Sequence, residues 1–316
     1  MEEIPSKPSQ HVIPCILVIP GDEVKLAWKW FVSELHPRPN VQPEYCCIYD
    51  QKRWGIADPD VLLKDNPDII KNIAILYITS QLAGNDRDIL QILDENSQGN
   101  VCIYTPILDL DIRNLIADER RFRNTLSECL PFWVQLATII QSRMFVNFAL
   151  SLPNFHPEDK GPDGMSFALD NDSNPVIEIR SAKNSIGDPY YDVASAGFRN
   201  GGEAKKDNLL EEFHLINTRG YGFTRMDRLL SILCQAIGYP TDQLLRAGLL
   251  GSQKSYNAFV IANDHYARYE MFSCYHLISN QPHKCIATYI GSDVWVHLSE
   301  NTRNCVIEIL ENAGVW

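Results

Sequence analysis

The chain has 316 residues, of which 45% are hydrophobic, and a formal net charge of −12 at pH 7. This length allows one large domain or two ordinary ones, and the acid excess opposes long-range attraction of the whole protein to nucleic acid. We expect neither a signal peptide nor a membrane span, and hence a cytoplasmic protein, because no basic region leads into an apolar stretch and polar side chains interrupt residues 132–150. Nine cysteines without a CxxC pair favour reduced thiols over disulfides or a structural zinc site.

The first third of the chain alternates between strand-like and helix-like patterns. Apolar runs predict strands over residues 11–20, 72–82 and 100–108. The spacing of apolar residues over 23–35 and 85–99 is typical of amphipathic helices. This alternation favours an α/β layer with at least some parallel strands.

The pattern becomes helical after residue 110, where we place a domain boundary between an N-terminal α/β region (1–110) and a second domain (111–316). Apolar spacing predicts helices over residues 111–150, with Pro131 breaking the segment in two. Two further helices and two strand-like runs follow, the helices at 205–216 and 225–240 and the strands at 283–290 and 293–298.

The stretch GPDGMSFALDNDSNPVIEIRSAK at residues 161–183 carries the chemistry. Two short alternating runs flank the polar turn NDSN, which predicts a hairpin. Because side chains alternate along a strand, Glu178 and Arg180 share one side, and pairing across the turn brings Asp163 towards Glu178. Two carboxylates that converge at a strand end suit Mg²⁺ or Mn²⁺, which can polarise a phosphodiester and activate a water molecule.

These residues resemble the motif of the PD-(D/E)XK nuclease superfamily, in which an Asp follows a turn and Glu-x-Lys lies on the next strand. The matching residues are Pro162, Asp163 and Glu178, with Arg180 in place of the lysine, and the resemblance covers about residues 125–215. It implies a restriction-endonuclease-like mixed-sheet domain with C-terminal helices that cleaves DNA or RNA with Mg²⁺ or Mn²⁺. In this superfamily a preceding helix often supplies another acid, and Glu128 is the candidate for a metal ligand beside Asp163 and Glu178.

The arginine is a departure from the motif. Arg180 keeps the positive charge, but it cannot give up a proton as a lysine can. Lys183 could supply an ammonium group from a shifted position, since its flexible stem can reach back towards the carboxylates. The acidic balance suggests that a partner protein delivers the nucleic acid, and the resemblance implies a helicase in a bacterial antiviral defence system as one such partner.

Two other interpretations stay open. In the first, the chain is a non-catalytic interaction or scaffold subunit with a degenerate nuclease-like core, where Asp163 forms a turn and Glu178 pairs with Arg180 on a solvated face. In the second, the chain is a cysteine-dependent α/β enzyme that uses thiol, imidazole and carboxylate groups of the C-terminal part. These groups belong to Asp264, His265, Cys274, His276, His283 and Cys285.

Overall fold

The computed structural model of the chain describes a mixed sheet, a small second sheet and six long helices. The described residues are 15–32, 45–48, 68–82, 86–94, 100–104, 110–142, 145–153, 164–184, 232–240, 253–262, 284–314 and 316. The strands are β1 (Cys15–Pro20), β2 (Tyr45–Ile48), β3 (Asn100–Tyr104), β4 (Phe145–Leu150), β5 (Gly164–Asp170), β6 (Pro175–Asn184), β7 (Gln253–Ala262) and β8 (Lys284–Gly291). The helices are α1 (Gly21–Trp30), α2 (Asp68–Leu82), α3 (Asp86–Leu93), α4 (Leu110–Ala117), α5 (Glu119–Ser142) and α6 (Ser292–Asn312).

The larger sheet has six strands in the order β2-β8-β7-β6-β5-β4. Strands β6, β7, β8 and β2 are parallel to one another, whereas β5 is antiparallel to both β4 and β6. The smaller sheet is the antiparallel pair of β1 and β3. The expected α/β class is therefore confirmed, although β1 and β3, which come from the region where we expected at least some parallel strands, pair antiparallel.

Two apolar runs that predicted strands form helices instead. Residues 72–82 lie in α2, where ten consecutive residues from Asn72 to Gln81 are buried. A continuous apolar run cannot by itself distinguish a buried strand from a helix buried on all sides, and here burial on all sides is the physical reason for the error. Residues 293–298 open α6, whose apolar spacing continues as far as Leu310.

The break predicted at Pro131 is also wrong, because α5 continues through it as one helix of 24 residues. An internal proline costs a helix roughly 3 kcal/mol or more, since it lacks the N–H group and its ring clashes with the preceding turn. The buried side chains of Phe132, Trp133 and Leu136 follow directly, and each is worth about 1.5–3 kcal/mol on burial. The helix nevertheless ends before residue 150, since residues 145–150 form β4.

The interface between α2 and α5 contains paired polar groups within an apolar core. The hydroxyl groups of Tyr77 and Thr125 are 2.9 Å apart, and the indole N–H of Trp133 donates to the carbonyl of Leu76 at 3.2 Å. Burial raises the pKa of the Tyr77 phenol, so that this group stays neutral in the core. These bonds satisfy buried polar groups and fix the register of the two helices.

Buried side chains from both sides of residue 110 share one core. The cluster includes Leu17 of β1 and Leu310 of α6, and α2 packs against α6 as well as against α1. Strand β2 pairs with β8. These contacts join residues before position 110 to residues after it. The division of the chain into two domains at this position stays a prediction.

Candidate metal site

The turn between β5 and β6 is built by the side chain of Asp170. Its carboxylate accepts the backbone N–H groups of Asp172 and Asn174 at 3.0 and 2.7 Å. Ser173 adopts a left-handed conformation with φ of 63°, which the short polar residues of turns tolerate better than apolar ones. The polar sequence NDSN thus closes a tight hairpin, as its composition predicted.

The hairpin sets which residues of β5 and β6 lie opposite each other. Ser166 pairs with Glu178, and Gly164 pairs with Arg180. The prediction that residues 165–170 and 176–181 form adjacent antiparallel strands is confirmed. Gly164 follows Asp163 directly in the chain, so the register places Arg180 opposite the neighbour of Asp163.

The two faces of β5 are covered by different parts of the chain. On one face, the amide of Gln135 in α5 donates to the Ser166 hydroxyl oxygen at 3.1 Å. On the other face, Phe167 packs against Tyr239, with ring centroids 5.3 Å apart, in the segment 232–240. Residues directly opposite in an antiparallel pair lie on the same face, so position 178 belongs to the face that α5 covers.

The direction of α5 relative to β5 follows from two points of attachment. Gln135 contacts Ser166, and the last residue of α5, Ser142, is three residues from Phe145, so their Cα atoms are at most about 11 Å apart. Phe145 pairs with Asp170 at the end of β5. Both α5 and β5 therefore run from the contact between Gln135 and Ser166 towards the level of Phe145, so the helix and the strand have the same direction.

Glu128 lies on the same face of α5 as Gln135, since seven residues make two helical turns. Its side chain is buried, with 6% exposed. Seven residues correspond to about 10 Å along the helix axis, and Gly164 lies about 7 Å before Ser166 along β5. Because α5 and β5 run in the same direction, Glu128 is displaced from Gln135 towards the Gly164 end of the strand.

The helix described from residue 232 ends before Gly238, within the range 225–240 that the sequence predicted for it. Gly238 has a φ of +70°, and its N–H donates to the carbonyl of Gln235 while that of Tyr239 donates to the carbonyl of Cys234. This is a Schellman ending, in which glycine avoids the strain that a Cβ atom brings. Burial raises the pKa of the Cys234 thiol to about 12.

The sequence-predicted site residues are distributed as follows. Asp163 lies outside the described residues, Glu128 lies in α5, and Glu178, Arg180 and Lys183 lie in β6. Lys183 pairs with Val260 of β7 and is an odd number of residues from Glu178, which in a regular strand is a position on the opposite face. Among the Cys and His residues of the alternative thiol site, the structure describes only the strand position of Cys285.

Sequence reasoning missed Gln135 and Ser166. Both are polar residues within apolar surroundings, and both are buried in the structure, with 0% and 2% exposed. Their one sequence signal was that a polar residue interrupts an apolar run in each element. Nothing in that signal pairs residues that are 31 positions apart, because the pairing depends on how α5 packs against the sheet.

Comparisons with protein families, curated proteins and solved structures gave no match to the chain. Within the ranges that the structure describes, no helix has the length and apolar character needed to cross a membrane. In those same ranges, no three His, Cys, Asp or Glu side chains are grouped closely enough to hold a metal ion.

Proposed function

We propose that the chain is a metal-dependent nuclease that cleaves phosphodiester bonds of DNA or RNA at the Gly164 end of β5. Asp163 and Glu178 bind Mg²⁺ or Mn²⁺, and Glu128 of α5 supplies a third carboxylate. Such an ion would supply Lewis-acid polarisation of the phosphodiester and an activated water molecule as the nucleophile. The fold of this part of the chain is, in this proposal, the restriction-endonuclease-like core that the motif implies.

The observation that carries the proposal is the register of the hairpin. Chain connectivity keeps the Cα atom of Asp163 about 3.8 Å from that of Gly164, and Gly164 lies opposite Arg180. Glu178 is two residues from Arg180 on the same strand and on the same face. An Asp directly before a strand, with Glu-x-Arg on the adjacent antiparallel strand where the motif has Glu-x-Lys, supports the nuclease interpretation.

The position of α5 is a second, independent support. Helix α5 packs against β6, and its direction displaces Glu128 towards the end of β5 where Asp163 enters the strand. The Glu128 carboxylate is only 6% exposed, so this acidic group lies within the protein and not on its solvent-facing surface.

The alternative of an ion pair on a solvated face fits the register less well. Ser166, opposite Glu178, is 2% exposed, and the neighbouring Gly164 and Ala168 on the same face are also buried. The face that Glu178 shares with Ser166 is therefore covered at this level of the sheet. A carboxylate and a guanidinium group placed here need specific partners, whereas a solvated pair does not.

We assign the role of the positively charged catalytic group to Arg180, because it shares the face of Glu178. Lys183 is the second candidate for this role. The arginine stabilises charge that develops on the phosphate. We further propose a cytoplasmic protein that acts with a partner, such as a helicase of a bacterial defence system, since a net charge of −12 disfavours capture of nucleic acid by the chain alone.

The test is a cleavage assay on plasmid, single-stranded DNA and RNA with Mg²⁺ or Mn²⁺, with the chain alone and with any protein that copurifies. Asp163→Asn and Glu178→Gln keep the side-chain size and should each lower the cleavage rate by at least about 100-fold, more than the loss typical of residues that only support a ligand. Arg180→Lys should keep or raise activity, and Arg180→Ala should lower it.

Glu300→Gln is the matched control, because it removes a carboxylate that pairs with Arg123 at 3.8 Å on the surface of α6. Its cleavage rate should equal that of the wild type. A wild-type protein that binds no divalent metal and cuts none of the substrates with its partner present contradicts the nuclease proposal. Partner or nucleic-acid binding without cleavage would favour the non-catalytic scaffold.

A further inference from the structure

Three exposed arginines lie where α4 ends and α5 begins. They are Arg113 of α4 and Arg120 and Arg121 of α5, and we call them the arginine surface. Only Asp118 separates the two helices. Arg113 lies one helical turn before Ala117, the last residue of α4, which is about 6 Å along the helix axis. The Cα atoms of Ala117 and Arg120 are at most about 11 Å apart, so the three positive charges are gathered at one corner of the protein.

The acidic groups beside the arginine surface have partners of their own. The Asp118 carboxylate accepts the backbone N–H of Arg121 at 2.9 Å and so caps the first turn of α5. Glu119 pairs with Arg303 at 3.3 Å, and the same guanidinium group donates to the carbonyl of Ala117 at 3.0 Å. Between residues that the structure describes, no ion pair involves the arginine surface. It therefore carries a local excess of positive charge on a chain whose net charge is −12.

The path of α5 places the arginine surface beyond one end of the sheet. Arg121 lies on the same face of α5 as Glu128 and Gln135, since seven residues make two helical turns. Along this face Gln135 is 0% exposed, Glu128 is 6% exposed and Arg121 is exposed. Gln135 contacts Ser166 of β5, so the rising exposure indicates that the N-terminal end of α5 extends past the sheet. Because helix and strand run in the same direction, this is the Gly164 end of β5.

The chemistry of the exposed groups suits phosphate. A guanidinium group is a planar fork of donors that matches the oxygen atoms of a phosphate, and it stays charged in proteins. At 0.1 M salt, exposed charges more than about 10 Å apart are largely screened from each other. Short-range binding at this corner therefore depends on the local excess of arginine more than on the net charge of the whole chain.

We propose that the arginine surface binds the sugar-phosphate backbone of a nucleic acid beside the Gly164 end of β5. The choice of nucleic acid over an acidic protein segment rests on the proposed function. Arg121 is about 10 Å along the helix axis from Glu128, which corresponds to about three nucleotides at 3.4 Å per nucleotide of one strand. Contacts to phosphate carry no sequence information, so this surface positions the strand and does not select its sequence.

The experiment measures binding of labelled duplex DNA and single-stranded RNA to the full chain by fluorescence anisotropy, from about 50 to 200 mM salt. EDTA is present, so divalent metal contributes nothing and no strand is cut. Arg120→Gln and Arg121→Gln should each lower the slope of log affinity against log salt for the duplex by about 0.9, which corresponds to about eightfold weaker binding at 0.1 M salt. Arg120→Lys keeps the charge and should keep the slope of the wild type.

The matched control is Lys29→Gln in α1. Lys29 is also exposed, and its replacement changes the net charge of the chain by the same amount. It should leave affinity and salt slope unchanged. A loss in Lys29→Gln as large as that in Arg120→Gln would show that net charge alone is responsible and would overturn the inference.

The remaining outcomes separate this inference from the nuclease proposal. Equal affinity and slope in the wild type, Arg120→Gln and Arg121→Gln overturn the arginine surface, while cleavage assays with Mg²⁺ still decide the nuclease. Binding that depends on these arginines without any cleavage keeps the surface and contradicts the nuclease. Poly-glutamate that displaces the labelled DNA as well as unlabelled DNA of equal charge does would assign the surface to an acidic protein instead. A wild type that binds neither nucleic acid at about 50 mM salt also overturns the inference.

Discussion

Helix α5 contacts two different surfaces, helix α2 and the larger sheet. The first contact stabilises the fold, and the second carries the residues of the proposed metal site. Against α2 it packs a dense apolar surface whose polar groups, such as Tyr77 and Thr125, bond to each other within the interface. Against the sheet it presents Glu128 and Gln135, and Gln135 bonds to Ser166 of β5. One helix is therefore part of the structural core on one side and, in the proposed function, a support for carboxylates on the other.

The comparison predicts which substitutions change stability and which change metal binding. Changes at the α2 surface should lower the free energy of unfolding and leave the Mn²⁺ affinity of the folded protein unchanged. Changes at the sheet surface should lower Mn²⁺ affinity with little effect on unfolding. Substitutions at each surface test whether stability and Mn²⁺ affinity respond separately.

The largest expected effect is at Trp133, at the centre of the α2 surface. Its ring is fully buried and lies 5.6 Å from that of Trp28, and its indole N–H donates to Leu76. Trp133→Ala should lower the free energy of unfolding by about 3–5 kcal/mol, measured by urea denaturation. Ile140→Ala, on the same helix but 40% exposed, should change it by about 0.5 kcal/mol or less. Equal losses in the two variants would contradict the assigned core.

The next effect is at Glu128, on the sheet surface. Glu128→Gln should weaken Mn²⁺ binding at least about 10-fold, if its carboxylate is a ligand. The free energy of unfolding without metal should change little, because Gln keeps the size of the side chain and an oxygen that accepts hydrogen bonds at this position, which is 6% exposed. Calorimetry and urea denaturation on the same samples measure the two quantities. Lower stability with unchanged Mn²⁺ affinity would give Glu128 a structural role instead.

A smaller effect is expected for the phenol at the α2 surface. Tyr77→Phe removes the partner of the Thr125 hydroxyl group, 2.9 Å away, and should lower the free energy of unfolding by about 0.5–1.5 kcal/mol. Thr125 still donates to the carbonyl of Phe122 at 2.9 Å, which limits the loss. In a double-mutant cycle with Thr125→Val, the two losses should not add. Additive losses would show that this bond contributes nothing.

The smallest effect concerns pH and the segment on the other face of β5. Burial raises the pKa of Cys234 to about 12, above that of a thiol in the unfolded chain, about 8.5. The folded state therefore retains the proton when the unfolded state has lost it, so this contribution is complete below about pH 8.5 and is lost as pH rises towards 12. Stability should therefore fall between pH 8 and 10, and it should fall by less in Cys234→Ala. An identical pH profile in that variant would exclude Cys234 as the cause.

Much of the fold follows from local patterns, and the errors have a common cause. The hairpin of β5 and β6 was predictable because a polar turn lies between two alternating runs, and the ending at Gly238 because glycine favours a positive φ. The strand predicted over residues 72–82 was wrong because burial on all sides hides helical periodicity. The strand predicted over residues 293–298 was wrong because this run alone is too short to show the apolar spacing that continues along the helix to Leu310. Pro131 lies within α5 because the packing of its neighbours outweighs the loss of one backbone hydrogen bond in the helix.

The candidate site was predictable only in its local part. The spacing of Asp163, Glu178 and Arg180 can be read from the hairpin, since a strand fixes the face of each residue. The role of Gln135 could not be predicted, because its partner Ser166 is brought to it by the packing of α5 on the sheet. The same packing determines which end of β5 Glu128 approaches.

The most direct measurement is the anomalous scattering of Mn²⁺ in crystals of the wild type and of Glu178→Gln, grown with the same metal concentration. The proposed site predicts one manganese peak in the wild type, between the carboxylates of Asp163 and Glu178 and on the face of the sheet that α5 covers. The peak should be absent or much weaker in Glu178→Gln. Wild-type crystals without a peak between these carboxylates, or with the same peak in both proteins, would contradict the metal site and with it the proposed nuclease.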